Sequence, residues 1–198
     1  MRAVEIARQQ LLKRPARMAP LAALVIGGIV WSQLRKTRGN RVTSSVESAI
    51  EVDVPVSTAY NQWTQFEQFP QFMDSVQQVR QIDDTHLHWC ATVAGKAKEW
   101  DAEITEQIPD QRIAWRSTSG ARNSGVVSFH RISETRTRVT LRIDYEPETM
   151  GEKIGDTLGG MKLTARGSLK RFKDVIEGRG AQTGAWRGTV TQGTVTQH

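Results

Sequence analysis

The strongest constraint on this chain is a change in its hydrophobic period. From Val46 to Tyr145 apolar residues recur at every second position in a series of short stretches. From Ile154 to Ile176 they recur in steps of 4, 3, 4, 4, 3 and 4. Alternation places side chains on opposite faces of a strand, whereas the 3-and-4 step keeps them on one face of a helix. A chain written this way buries its apolar surface by laying one long amphipathic helix across one face of an antiparallel sheet.

Turn residues divide the alternating region. Val46, Ser48, Ile50, Val52 and Val54 alternate with Glu47, Ala49, Glu51 and Asp53, and Pro55 ends that strand. Tyr60, Trp63, Phe66, Phe69 and Phe72 then follow helical spacing over residues 56–73, and Pro70 splits this segment into two short helices. Six further strands are predicted, separated by Asp83-Asp84, Gly95, Pro109-Asp110, Gly120 and Glu134-Thr135. Their inner faces carry Leu87, Trp89 and Ala91; Trp100, Ala102 and Ile104; Ile113 and Trp115; Val127 and Phe129; and Val139, Leu141, Ile143 and Tyr145. Pro147 closes the sheet, and the helix is predicted from Glu148 to Ile176.

That helix holds Gly151, Gly155, Gly159, Gly160 and Gly167, each about 1 kcal/mol worse than Ala in an exposed helix interior. Two explanations stand: close approach of the sheet, or space kept for something else.

Three segments together carry a family resemblance. Ala59–Met73, rich in Trp, Phe and Gln, resembles the opening helical motif of the polyketide cyclase/dehydrase and coenzyme Q-binding family of the START-like superfamily. Arg112–Gly120, with Gly125–Phe129 and Thr137–Leu141, resembles its later strands. The resemblance covers about residues 44–178 and implies an α+β helix-grip fold, a curved antiparallel sheet wrapped around a long C-terminal helix. It also implies an apolar cavity that takes a lipid, a quinone-like molecule or another apolar small molecule. The residues expected to line it are Trp63, Phe66, Phe69, Trp89, Trp100, Trp115, Phe129, Tyr145, Gly155, Leu158, Gly159 and Met161. Eleven of the thirteen aromatics lie between Ser44 and Gly178, and the same set would also fill the solid core of a sheet-on-helix domain.

The net charge of +6 resolves into two parts. Residues 1–42 hold nine basic residues and one acid, Glu5, and the rest of the chain holds 18 basic and 20 acidic residues. A folded domain that is itself slightly acidic does not fit nucleic-acid binding. Residues 18–34 are uncharged, with Leu21, Leu24, Val25, Ile26, Ile29, Val30 and Trp31 as their apolar content and basic clusters on both sides. At 1.5 Å per residue the stretch reaches about 25 Å, the lower limit for a membrane span. Residues 1–34 are therefore read as an N-terminal membrane-associated helix drawn to anionic lipid, and 35–43 as a linker. A cleaved secretory signal and an ordinary buried helix are the alternatives. The reading places the protein at a bacterial inner membrane with the domain facing the cytoplasm, and the near-equal flanking charge leaves the side open.

Groups suited to catalysis are sparse. There is no nucleophile elbow and no phosphate loop. His86 and His88 share one strand face, which Cys90 continues, but they oppose the apolar set and are read as solvent-facing, so no metal or cofactor is assigned. His130 is likewise read as outward. Cys90 excludes an internal disulfide and is read as a small core residue. Asp101, Glu103, Arg112 and Arg116 are read as a cross-strand surface ladder. Cyclases of the superfamily use a polar cavity residue such as Arg; Arg116 is the candidate by motif position, and its outward phase weighs against it.

The tail, 179–198, repeats Gly-Thr-Val-Thr-Gln in tandem and has little apolar bulk besides Trp186, so it is expected to be disordered. Ala185-Trp186-Arg187 is its one candidate partner-binding motif. The functional reading is membrane-tethered binding of an apolar small molecule without covalent chemistry. A polyketide-type cyclase or dehydratase and a ligand-free stress-related interaction module are the alternatives. Acid or base groups facing a cavity would indicate the enzyme, and a filled core would indicate the module.

Overall fold

Each alternating stretch forms a strand in the computed structural model, which describes residues 44–93, 95–146 and 154–197. β1 (Ser44–Val52) leads through Pro55 into α1 (Val56–Trp63) and a 3₁₀ helix (Phe66–Gln71). Then come β2 (Val76–Gln81), β3 (His86–Val93), β4 (Lys96–Ile108), β5 (Arg112–Ser117), β6 (Asn123–Ser133) and β7 (Arg136–Tyr145). α2 (Ile154–Arg179) follows, and β8 (Thr189–Thr191) and β9 (Thr194–Gln197) end the chain. The predicted leader, the linker and the start of the long helix at Glu148 lie outside the described residues. Among the described residues no helix is long and apolar enough to cross a membrane.

The sheet runs β1-β7-β6-β5-β4-β3-β2, antiparallel throughout, so successive strands pair as hairpins and β1 caps the β7 edge. Phe129 on β6 and Val139 on β7 are direct cross-strand partners and both are buried. A bulge in β4 between Ile104 and Glu106 changes the phase of the strand. Ile104 and Gln107 consequently both face inward, three positions apart, and Gln107 Nε2 donates to Tyr60 Oη at 2.9 Å in the core. Bulges also bend the strand that carries them, which helps the sheet to curve.

Of the predicted helical stripe, Ala165, Leu169, Phe172 and Ile176 are all at most 4% exposed, and Met161 is half-buried. Polar bonds to the rest of the domain help fix this half of α2. Lys173 Nζ donates to the Glu51 carbonyl at 2.8 Å, and Arg171 Nε donates to the Phe72 carbonyl at 3.2 Å. Beneath it lies an aromatic cluster. Trp63 meets Phe69, Phe72, Phe129 and Phe172 at centroid separations of 4.9 to 6.1 Å, within the range where edge-to-face pairs are favourable.

The tail is not disordered. Its two Thr-Val-Thr copies fold against each other as β8 and β9, with Val190 opposite Val195 and Gln192-Gly193 as the turn. Both turn residues have positive φ, 51° and 76°, as a two-residue hairpin loop of the I′ kind requires. β8 pairs with β4 at Glu106 and Gln107, and Val190 is fully buried in the core. Low apolar content predicts disorder only for a segment that must supply its own core, and this one borrows the domain's. Of Ala185-Trp186-Arg187, Trp186 packs half-buried against the core, while Ala185 and Arg187 are exposed. Trp186 N–H donates to Thr64 Oγ1 at 3.1 Å, and the Arg187 guanidinium binds both Asp110 carboxylate oxygens at 3.0 and 2.8 Å.

Candidate functional site

The aromatic cluster fills only part of the space between sheet and helix. Beside it lies a cavity of about 560 Å³, within the size range of small-molecule sites. Its floor is the inner face of β3 to β7. Trp89 and Trp100 are direct cross-strand partners and lie stacked, centroids 5.6 Å apart and planes at 7°. Phe69, from the 3₁₀ helix, meets the edge of Trp89 at 5.6 Å. Trp63 and Phe66 close the side toward the filled core, and Met161 of α2 forms part of the roof.

Trp115 depends on two neighbours in β6. It lies directly across from Gly125, where an added Cβ would collide with the indole and with the Arg142 carbonyl. The missing side chain lets the indole lie over β6, and Trp115 Nε1 donates to Asn123 Oδ1 at 3.2 Å. Asn123 in turn donates through Nδ2 to the Ala121 carbonyl at 3.0 Å, which fixes its amide. Asn123 lines the cavity together with Ser75, Tyr145, Thr164, Ser168 and Thr92, whose Oγ1 accepts from Gln77 Nε2 at 2.8 Å. Among the described residues that line the cavity there is no carboxylate, imidazole, guanidinium or ammonium.

Eight of the twelve residues expected to line a cavity do so: Trp63, Phe66, Phe69, Trp89, Trp100, Trp115, Tyr145 and Met161. Phe129 does not. It points inward as expected but lies at the filled end, edge-on to Tyr60 at 5.6 Å. Gly159 is exposed with open space around it, and the glycine of α2 that borders the cavity is Gly160, one position on. Gly160, Thr164, Ala165 and Ser168 share a helix face; Gly159 is turned away from it by about 100°. The surroundings of Gly155 and Leu158 lie outside the described part of the structure. The small polar residues of the lumen and the role of Gly125 were missed. Only the pairing of Gly125 with Trp115 gives that glycine meaning, and pairing requires the register.

The outer face follows its predicted phase, with two corrections. Arg116 points away from the cavity and binds Glu103 through Nε and Nη2 at 3.0 and 2.7 Å. Arg112 pairs with Glu106 at 2.6 Å, while Asp101 pairs with His88 instead of an arginine. Cys90 is partly exposed on this outer face and is not a core residue.

Comparison with known proteins agrees with this architecture. The family model for polyketide cyclase / dehydrase and lipid transport matches residues 52–173. An uncharacterised 17.2 kDa protein of Streptomyces lincolnensis is 55% identical over 148 residues, which span 74% of this chain and 99% of the relative. The crystal structure of DR_A0006 from Deinococcus radiodurans is 27% identical with a TM-score of 0.55, covering 68% of this chain and 98% of that one. A START superfamily protein from Mycobacterium smegmatis matches at 15% identity and a TM-score of 0.55, covering 68% and 95%. The Zhui aromatase/cyclase of a Streptomyces species matches at 14% identity and a TM-score of 0.61, covering 73% and 100%. At 14 and 15% identity the last two establish likeness of fold alone.

Proposed function

We propose, from the premise that this chain belongs to the polyketide cyclase/dehydrase and lipid transport family, that its cavity binds an apolar, partly planar small molecule such as a lipid or quinone. One observation carries the reading: about 560 Å³ of space walled by Trp63, Trp89, Trp100 and Trp115, with Ser, Thr and Tyr residues, one asparagine and the unpartnered indole N–H groups of Trp89 and Trp100 as the polar content of the described lining. Stacked indoles offer flat apolar walls to a ring system or chain. Hydroxyls and a fixed amide orient a carbonyl or hydroxyl by hydrogen bonding.

A cyclase or dehydratase has to protonate or deprotonate its substrate, and general acid–base work falls to groups such as His, Asp, Glu, Lys or Tyr. Of these the described lining supplies Tyr145 alone, and Arg116, the motif's candidate, faces away. A ligand-free module would have no use for a cavity of this size. The leader, residues 1–34, supplies the tether in this reading and holds the domain at an anionic bilayer, on the cytoplasmic side of a bacterial inner membrane.

Two measurements test the proposal. The full chain, purified under native conditions from membranes, is extracted and its co-purifying small molecules are identified by mass spectrometry. The emptied protein is then warmed with a series of quinones and fatty acids. A ligand at 100 times its Kd raises stability by about 2.7 kcal/mol, a shift of about 5–10 °C in Tm for a domain of this size. No co-purifying molecule and no shift across the series would refute binding. Deleting residues 1–35 should move the protein from the membrane pellet to the soluble fraction, and persistence in the pellet would refute the tether.

A further inference from the structure

The outer face of the same sheet gathers metal-ligating groups well away from the lumen. His88 and Cys90 are two apart on β3 and share its outer side. On β4, Asp101 lies directly opposite His88, and Glu99 directly opposite Cys90. Four donor side chains therefore occupy the corners of one cross-strand square. The sequence shows the His-x-Cys half alone; the β3–β4 register adds the two carboxylates.

The square has an internal order. His88 Nδ1 lies 2.8 Å from Asp101 Oδ1, an arrangement that places the ring proton on Nδ1 and leaves Nε2 as the lone-pair nitrogen. Nε2 lies 3.7 Å from Cys90 Sγ. A tetrahedral zinc ion, with Zn–S of about 2.3 Å and Zn–N of about 2.05 Å, holds those two atoms about 3.6 Å apart. A carboxylate on the far nitrogen of a ligating imidazole is the usual support in metal sites. Asp101 is itself held, since Ser119 Oγ donates to its Oδ2 at 2.6 Å. Gly120, with φ of 67°, seats the β5–β6 turn against the Glu99 carbonyl, where any side chain would collide. One ligand atom each from His88, Cys90 and Glu99 lies within 4.8 Å of the other two. An exposed glutamate closes the remaining ångström by rotating its side chain.

We propose that His88, Cys90 and Glu99 form a divalent-metal site of zinc type, with Asp101 as the residue that positions His88 and with a water in the fourth place. One thiolate, one imidazole and one carboxylate match the donor preferences of zinc and not those of magnesium or calcium. Arg80 faces His88 from β2 and is the cation that the site has to tolerate. The site is independent of the cavity and of what the cavity binds.

The test uses the full chain, freed of metal by a chelator and titrated with Zn²⁺ against a chromophoric competitor, then with Co²⁺. The expected result is one equivalent per chain and, with Co²⁺, a thiolate-to-cobalt charge-transfer band in the near ultraviolet. Cys90→Ser should abolish that band, and His88→Ala and Glu99→Gln should each weaken Zn²⁺ binding at least tenfold. Asp101→Asn should keep the band while lowering affinity about tenfold, the cost usual for an outer-shell partner. His86→Ala, on a residue outside the site, should change neither. Thermal melts in chelator check that the variants fold. Should Cys90→Ser not fold, protection of the wild-type thiol from iodoacetamide by Zn²⁺ replaces that arm. Binding that survives Cys90→Ser, a Co²⁺ complex without the thiolate band, or a thiol that Zn²⁺ does not protect would overturn the proposal.

Discussion

Cutting back one aromatic at each end of the interior should expose the difference between filled core and open lumen. Phe172, on the buried face of α2, is fully buried and lies edge-on to Trp63 at 4.9 Å and to Phe72 at 5.3 Å. Trp100 has Trp89 stacked on one face and borders the cavity. Phe172→Ala loses the transfer energy of a buried ring and leaves a closed void of roughly 80–100 Å³, which at about 24 cal/mol per Å³ adds about 2 kcal/mol. The total falls near the top of the usual range, about 4–5 kcal/mol. Trp100→Ala enlarges space that already exists, so the void adds little. The substitution also removes a buried indole N–H that has no hydrogen-bond partner, and such a group is costly to keep. Its cost should be about 2–3 kcal/mol, from lost transfer energy and one lost aromatic pair. Urea denaturation at 25 °C, with m-values compared to confirm similar exposed area, measures both. A gap near 2 kcal/mol is expected. Equal costs, or a larger cost for Trp100→Ala, would mean that the lumen is closed in solution and the cavity reasoning is wrong.

Three further predictions concern other parts of the fold. Gly125→Val forces a side chain onto Trp115 and the Arg142 carbonyl; overpacking of this kind costs about 1–3 kcal/mol, and chemical denaturation and indole fluorescence should report the loss and the displaced Trp115. Val190→Asp puts a charge into a fully buried position of the tail hairpin, so trypsin should cut after Arg187 far faster than in the wild type; equal rates would show that the hairpin does not dock. Tyr60 is held neutral by burial, its pKa pushed up to about 12 from 10. The folded state thus binds the phenolic proton more tightly than the unfolded state does. That stability is complete below pH 10 and is lost as pH rises toward 12, about 2–3 kcal/mol in all. Tyr60→Phe should flatten this part of the stability–pH curve, and an unchanged slope would show that another group titrates.

Local sequence determined the elements, because the signals for strand, turn and helix are themselves local. Alternation from Val139 to Tyr145 could be satisfied only by a half-buried strand, and the stripe through Leu169, Phe172 and Ile176 only by a helix lying on that strand's inner side. The same alternation named most of the cavity wall, since it says which face a side chain takes. It cannot say how far along the sheet that side chain lies. Phe129 shares the inward phase of the cavity wall for this reason and lies instead in the filled end beside Tyr60.

Register, curvature and docking are decided by contacts between residues distant in the chain, and local pattern is silent about them. The β4 bulge put Gln107 into the core, pairing made Gly125 the seat of Trp115, and the β3–β4 register set Glu99 and Asp101 beside Cys90 and His88. The tail shows the division most clearly. Its repeated Thr-Val-Thr segments are too poor in apolar surface to order themselves, and composition correctly registers that deficit. What composition cannot register is the edge of β4 at Glu106 and Gln107 that β3 leaves uncovered, which supplies the hydrogen bonds and the buried place for Val190.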